Sequence, residues 1–327
     1  MKKVNVKIVA LIIIFIVVVV LFIKGGCLSG IEGKFSFLRS KQAIHSQTDG
    51  SREGEADDSD SEDETQEVKD ARYLQLPIVN NVKDKDSYNS YSNEKLSWYI
   101  KRDKEHGPSG CDDTLELSEY CAYYLDKRVW EENSDKQQEK IMYFTFDCGY
   151  ENGYTEQMLD ILKEENVPAC FFLTQTYIRD NIDIVKRMKS EGHQVGNHTI
   201  THPCLPNTSY EEIVHEINGC AEYMKEATGY DMDPYFRPPS GDYSARNLAI
   251  ARDLGYKNIF WSIVYLDYDV NNQPGSDFVI EHFKKYHHNG AIVLMHNCSS
   301  SNAAALKTVI QNLKAEGYRF ASLNELE

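Results

Sequence analysis

The sequence predicts an α/β protein in which a parallel sheet carries helices on its outside and presents a site at the C-terminal ends of its strands. Three observations lead there. From about residue 140 onward, short apolar runs at 141–146, 168–174, 194–196, 234–236, 257–262 and 290–295, with a weaker one at 318–322, alternate with segments of helical period at 156–165, 178–191, 210–228, 246–254, 277–287 and 302–316. Many of these helical segments end near a glycine (Gly192, Gly229, Gly255, Gly317) before the next apolar run, as helices do when they close in a left-handed turn. Polar groups stand just past the predicted strands: Asp147 after Phe146, His198 and His202 after Gly196, Arg237 after Phe236, and His296 after Met295. Alternation of this kind gives either a doubly wound sheet or a barrel, and both place their sites at the strand ends. The alternating region is shorter than the ~250 residues of a full eight-unit barrel, so a reduced barrel is expected.

Taken in order, the chain begins with an uncharged run at 8–23, rich in Ile and Val, preceded by Lys2, Lys3 and Lys7 and followed by Lys24. It reads as a membrane segment, a little short of the ~20 residues that normally span a bilayer, and a signal peptide is the alternative. No small-x-small cleavage pattern follows, so an uncleaved anchor over residues 1–28 is expected, with the N-terminus in the cytoplasm and the rest outside. Residues 29–70 turn to Ser, Gly, Asp and Glu, with an acidic run at 53–64. Dense like charge with few apolar groups keeps such a segment extended as a disordered stalk, and it lacks the spaced ligands and glycine of a calcium-binding loop. The formal net charge of -16 argues against nucleic acid as a partner, since no basic face is available to displace counterions from phosphates.

Residues 71–139 are mixed and tyrosine-rich and are expected to pack on the domain at 140–327. Trp98, Tyr99, Tyr123 and Tyr124 could stack on sugar rings, but aromatics at this spacing more often serve packing.

His198 and His202 stand four apart, a spacing that on a helical turn brings two imidazoles to one face and suits a divalent metal, although a histidine pair in a loop is as often incidental. Their company strengthens the metal reading. A metal polarises a carbonyl and activates a water, a carboxylate such as Asp147 can take the water's proton, and a histidine such as His296 can protonate a leaving amine. Those are the parts needed to hydrolyse an amide.

Five stretches, in order, resemble the motifs of the polysaccharide deacetylase (NodB homology) family, carbohydrate esterase family 4: Thr145-Phe146-Asp147-Cys148-Gly149, His198-Thr199-Ile200-Thr201-His202, Arg237-Pro238-Pro239-Ser240-Gly241, the segment 261–268, and Leu294-Met295-His296. The resemblance covers residues 141–327 and implies a distorted (β/α)7 barrel of NodB type, a divalent metal, usually zinc, and removal of acetyl groups from N-acetylated sugars. Carried over by position, it implies Asp147 as general base held by Arg237, His296 as general acid paired with Asp267, and His198 and His202 as metal ligands. It also implies Ser240 as oxyanion donor through its backbone N–H, Tyr268 and Tyr150 as groove residues and Leu294 as lining of the acetyl pocket.

The departure is Cys148, where typical members carry a second aspartate that ligates the metal. Three readings are open: a Cys-His-His zinc site, a two-histidine site completed by water, and a site without metal. The segments 146–154 and 260–262, Asp267 and the tail at 302–326 are most similar to the delta-lactam-biosynthetic de-N-acetylases of bacterial spores. For that subgroup the implied substrate is peptidoglycan whose muramic acid has lost its peptide, on the way to muramic delta-lactam in spore cortex. Alternatives are a deacetylase of N-acetylglucosamine and a catalytically silent glycan-binding relative. The eight cysteines leave their pairing open, with Cys111 and Cys121 a possible local pair and Cys170 a core residue. His193, His215, His282, His287 and His288 match no motif.

Overall fold

The structure, a computed structural model, describes residues 78, 80–111 and 114–326. The expected membrane anchor and acidic stalk lie outside these residues, and among the described residues no helix is long and apolar enough to cross a membrane.

The segment before residue 140 contributes four short strands, β1 (Leu96–Ser97), β2 (Ile100–Lys101), β3 (Gly110–Cys111) and β4 (Ala122–Tyr123). The alternating region then supplies β5 (Ile141–Cys148), α1 (Thr155–Glu164), β6 (Ala169–Leu173), α2 (Gln175–Asp180), α3 (Ile182–Ser190), β7 (Gln194–Asn197) and α4 (Tyr210–Thr228). After these come β8 (Tyr235–Phe236), β9 (Asp242–Tyr243), α5 (Ala245–Asp253), β10 (Lys257–Ile259), α6 (Ser276–Tyr286), β11 (Ala291–His296), α7 (Ser300–Ala315) and β12 (Arg319–Phe320).

The main sheet runs β11-β5-β6-β7-β8-β10-β4, every pairing parallel, with β12 pairing beside the start of β5. All eight residues of β5 are buried, as expected of a parallel strand covered on both faces. The sheet curls until its ends meet: Ser262 donates its backbone N–H to Ile292 O at 2.9 Å and Leu294 to Ile263 O at 2.9 Å. This curled parallel sheet with helices outside is consistent with the expected distorted barrel. Side chains from alternate strand positions fill its interior, among them Tyr143, Cys170, Phe172, Tyr235, Ile259 and Ile292. The opposite set, including Phe144, Phe146 and Cys148, packs with helix residues such as Met158, Leu159 and Tyr177.

Two local readings are corrected. The single helix expected at 178–191 is broken at Asn181 (φ −139°, ψ 41°), whose side chain donates to Tyr177 O at 3.0 Å and so competes with the helical ladder. β4, expected only to pack on the domain, is a strand of its sheet, with Ala122 and Tyr123 in parallel register with Asn258 and Ile259. Sequence periodicity alone gives no hint of so short a pairing. The longer helices follow their capping signals: α4 starts in a Ser209–Glu212 capping box and ends at Gly229 (φ 82°).

No disulfide joins Cys111 to Cys121, and Cys170 is buried in the interior. Trp98 stacks on Phe260 with ring centroids 4.3 Å apart, and Tyr124 is buried, so both act in packing.

Candidate active site

The polar residues just past the strands converge on a cavity of about 530 Å³ at the C-terminal ends of β5, β7, β8 and β11. Asp147 and His296 are direct neighbours in the β5–β11 register, so one strand pair presents an acid and an imidazole side by side. Leu294, two residues before His296, lines the same cavity with Trp261, while Tyr150, Ser240 and Tyr268 stand around it.

Asp147 is held from behind. Arg237 is fully buried, with its guanidinium 4.2 Å from the Phe172 ring centroid, and it donates to Asp147 Oδ1 at 2.7 Å, Thr145 Oγ1 at 2.8 Å and Ile259 O at 3.0 Å. Burial pushes the Asp147 carboxyl up, but the charge and hydrogen bond of Arg237, joined by the charge of His296, outweigh it and hold the group below the ordinary carboxylate value. Asp147 is therefore ionised at neutral pH.

His296 is held in the opposite sense. Its Nδ1 lies 2.7 Å from Asp267 Oδ1, and its backbone N–H donates to Asp267 Oδ2 at 2.8 Å. Asn302 donates to the same Oδ2 at 2.6 Å and is itself fixed by the Tyr265 hydroxyl at 2.8 Å. Burial lowers the imidazole's pKa, but the hydrogen bond and charge of Asp267, joined by Asp147, raise it above the ordinary histidine value. With Nδ1 engaged by Asp267, Nε2 carries the proton that the imidazole can give.

His198 follows β7, and its Nδ1 bonds to Arg237 O at 2.9 Å. A carbonyl accepts, so Nδ1 carries the proton and Nε2 keeps its lone pair. Burial pulls its pKa down to about 4, so the ring is neutral and fit to ligate. His202 lies beside it, ring centroids 4.8 Å apart, and Asp147 Oδ2 is 3.6 Å from His198 Nε2. The two histidines do not sit on a helical turn as their spacing predicts. They bracket a loop in which Thr199 (φ 72°) and His202 (φ 59°) take left-handed backbone, secured by Glu216, which accepts from the N–H groups of Ile200 and Thr201 at 2.8 Å each. Strained backbone of this kind persists where surrounding bonds over-determine it.

Cys148 is corrected. It is the last residue of β5, next to Asp147, and successive strand residues face opposite sides. Its side chain packs on the helix side of the sheet, its Sγ is 3.9 Å from Phe146 O, and burial pushes its thiol well above the ordinary range. Among the described residues no group of three or more His, Cys, Asp or Glu is arranged to hold a metal. The Cys-His-His reading therefore has no geometric support, and the neighbouring imidazoles of His198 and His202 are left as the candidate donor set.

Further residues shape the site from around it. Trp261 walls the cavity so closely that a Cβ on Gly241 (φ 69°) would come within 2.7 Å of its ring, which requires glycine there. Thr145, Asn302 and Glu216 act through the residues they hold. Glu151 accepts from the N–H groups of Gly153 at 2.6 Å and Tyr154 at 3.0 Å, shaping the loop before α1. Arg102, from the segment before residue 140, also reaches the cavity. Of the histidines outside the motifs, His193, His282 and His288 are buried and none lines the active cavity.

Comparison with known proteins agrees with this geometry. A family model described as polysaccharide deacetylase matches residues 134–259. The chain is 38% identical over 236 residues to the peptidoglycan-N-acetylmuramic acid deacetylase PdaA of Bacillus subtilis, covering 72% of this chain and 86% of that protein. The solved structure of that protein, a family 4 carbohydrate esterase, superposes with a TM-score of 0.67, covering 72% of this chain and 97% of the other. A peptidoglycan-N-acetylglucosamine deacetylase of Bacillus cereus is 34% identical over 192 residues, covering 58% of this chain and 88% of that protein. A family 4 pseudoenzyme from Bacillus anthracis is 32% identical with a TM-score of 0.54, covering 57% of this chain and 65% of that one. With its five motifs gathered on one cavity and its length shared with these relatives, the chain belongs to the polysaccharide deacetylase family, carbohydrate esterase family 4.

Proposed function

We propose that this deacetylase removes the N-acetyl group from muramic acid in peptidoglycan, as the Bacillus subtilis relative's name describes for that protein. The single observation that carries a hydrolytic reading is the paired arrangement across β5 and β11: an ionised Asp147 backed by Arg237 beside a protonated His296 backed by Asp267. A binding module has no use for both a base and an acid.

Asp147 Oδ2, the oxygen not taken by Arg237, accepts a proton from the attacking water as its oxygen bonds to the acetyl carbon. The oxyanion that forms faces the backbone N–H of Ser240, held in a turn with left-handed backbone (φ 57°), so no reorganisation is needed as charge develops. His296 Nε2 then gives its proton to the amide nitrogen, the C–N bond breaks, and acetate and the free amine leave. Leu294 and Trp261 enclose the acetyl methyl, and Tyr268 and Tyr150 border the groove that takes the sugar.

The donor set fits a divalent cation held by His198 Nε2 and His202, with water in the remaining positions; zinc suits two imidazoles. When bound, such a metal supplies Lewis acidity toward the acetyl carbonyl and a water of lowered pKa. The uncharged run at 8–23 supports an anchored enzyme facing outward, and the acidic stalk would set its reach over an insoluble glycan. Loss of acetyl from peptide-free muramic acid would free an amine to close on the lactyl carboxylate, the lactam of spore cortex. The second reading, N-acetylglucosamine deacetylation, is favoured by the Bacillus cereus relative.

Acetate release from intact and from amidase-treated peptidoglycan, with and without chelator and added zinc, tests these readings. Release only from the amidase-treated glycan, abolished by chelation, supports the muramic acid reading. Equal release from both glycans favours the glucosamine reading, and no release from either sinks hydrolysis of these substrates in favour of a silent glycan binder.

A further inference from the structure

Arg102 is an exposed cation at the mouth of the active cavity, and among the described residues it bonds to a carbonyl and pairs with no carboxylate. It follows β2, and one guanidinium N–H donates to Val264 O at 2.9 Å while the group lies 5.8 Å from the ring centroid of Tyr286. These two contacts hold the group in place without neutralising it. The carboxylates nearest in chain and groove are engaged elsewhere: Asp103 accepts from the N–H groups of Glu105 at 2.6 Å and Gly107 at 3.3 Å, and Glu281 pairs with Lys284 at 3.4 Å. An exposed arginine so placed leaves most of its donor fork for a ligand.

A second cavity of about 610 Å³ adjoins the first, and Arg102, Tyr265 and Leu266 line both. A glycan strand whose acetyl group sits against Asp147 and His296 can continue past this junction. The second cavity adds Lys285, Glu281, a His282 kept neutral by burial, and the rings of Phe278 and Tyr286, aromatic surface on which a sugar chain can lie.

On the muramic acid reading above, we infer that Arg102 recognises the free lactyl carboxylate of the substrate and sets the preference for peptide-free muramic acid. The acetamide stands on C2 of that sugar and the lactyl ether on the neighbouring C3. A group that meets the acetamide at the cavity floor therefore carries its carboxylate only a few bonds away, toward the rim. A guanidinium forks onto two carboxylate oxygens, whereas a lactyl carboxyl tied to a peptide is a neutral amide and offers no such pairing. N-acetylglucosamine has nothing to place there.

The experiment compares the full-length protein and its Arg102→Met and Arg102→Lys variants. The substrates are amidase-treated peptidoglycan and the same glycan with its lactyl carboxylates methyl-esterified, which are assayed at low and high salt. Wild type should lose about tenfold in kcat/KM on esterification, through KM, because a charge-assisted pair is removed. Arg102→Met should show that loss already on the free acid, with kcat changed less than about twofold, and should be indifferent to esterification and to salt. Arg102→Lys should recover part of the affinity, keeping charge without the fork. An Arg102→Met variant as active as wild type on the free acid, or one that falls below wild type on the esterified glycan by the same factor as on the free acid, overturns the inference while the muramic acid reading stands. Failure of that reading shows in wild type itself, as no acetate from the amidase-treated glycan, and takes the inference with it.

Discussion

Two carboxylates in this site each meet a cation at 2.7 Å, yet they are built for opposite ends. Asp147 faces the cavity and its partner Arg237 is buried behind it, so the acid is the exposed member and the cation is the support. At the second corner the order is reversed: Asp267 is buried and the His296 side chain, 23% exposed, faces the cavity. The supporting partner decides which proton state meets the substrate. Arginine keeps a carboxylate ionised and ready to accept, and a buried carboxylate keeps an imidazole protonated and ready to give.

The comparison breaks most severely at Asp147. Asp147→Asn removes the base with little change of shape, and acetate release should fall about 10²–10⁴-fold, while the buried Arg237 guanidinium left without its counter-charge also lowers the melting temperature. A residual rate near wild type would move the base elsewhere. Arg237→Met leaves the Asp147 carboxylate buried and unpaired, which should cost about 3–5 kcal/mol of stability in denaturant melts. It should also shift the acid limb of the pH–rate profile upward, since the charge that lowers Asp147 is gone.

Asp267→Asn acts at the other limb. In wild type, activity is lost as pH rises through the raised pKa of His296, and the stability that His296 gains from protonation is lost over the same range. Replacing Asp267 should bring this alkaline limb down toward or below the ordinary histidine value and cost about ten- to a hundredfold in kcat at neutral pH. An unmoved alkaline limb would show that another group titrates there. The smallest effect is expected at Cys148→Ala, which trims a buried side chain on the helix side of β5 for about 1–2 kcal/mol. Bound metal, read by elemental analysis, should be unchanged in this variant and lost in His198→Ala; metal lost with the thiol would restore the Cys-His-His reading.

The strands and helices of the alternating region were legible because apolar periodicity and terminal glycines mark them, and the motif residues were legible because each stands at a strand end. The facing of Cys148 was legible in principle: a strand that turns Asp147 into the cavity turns its neighbour out. Other features depend on contacts distant in sequence. The loop form of 198–202 rests on Glu216, and the reach of Arg102 rests on a carbonyl 162 residues away. The break at Asn181 is a local competition for one carbonyl, which side-chain composition does not announce.

The pairing of β4 with β10 also bears on how the protein is made. Asn258 donates to Tyr120 O across 138 residues of chain, and Phe260 donates its backbone N–H to Tyr123 O at 2.7 Å. Synthesis runs from the N-terminus, so Ala122 and Tyr123 leave the ribosome long before the strand they complement exists. At the ~5–20 residues per second of translation, that edge waits on the order of ten seconds for its partner. The sheet can be finished only when its latest-made strands find one of its earliest, and a chain cut at residue 140 would leave β10 with an open edge for other chains to fill.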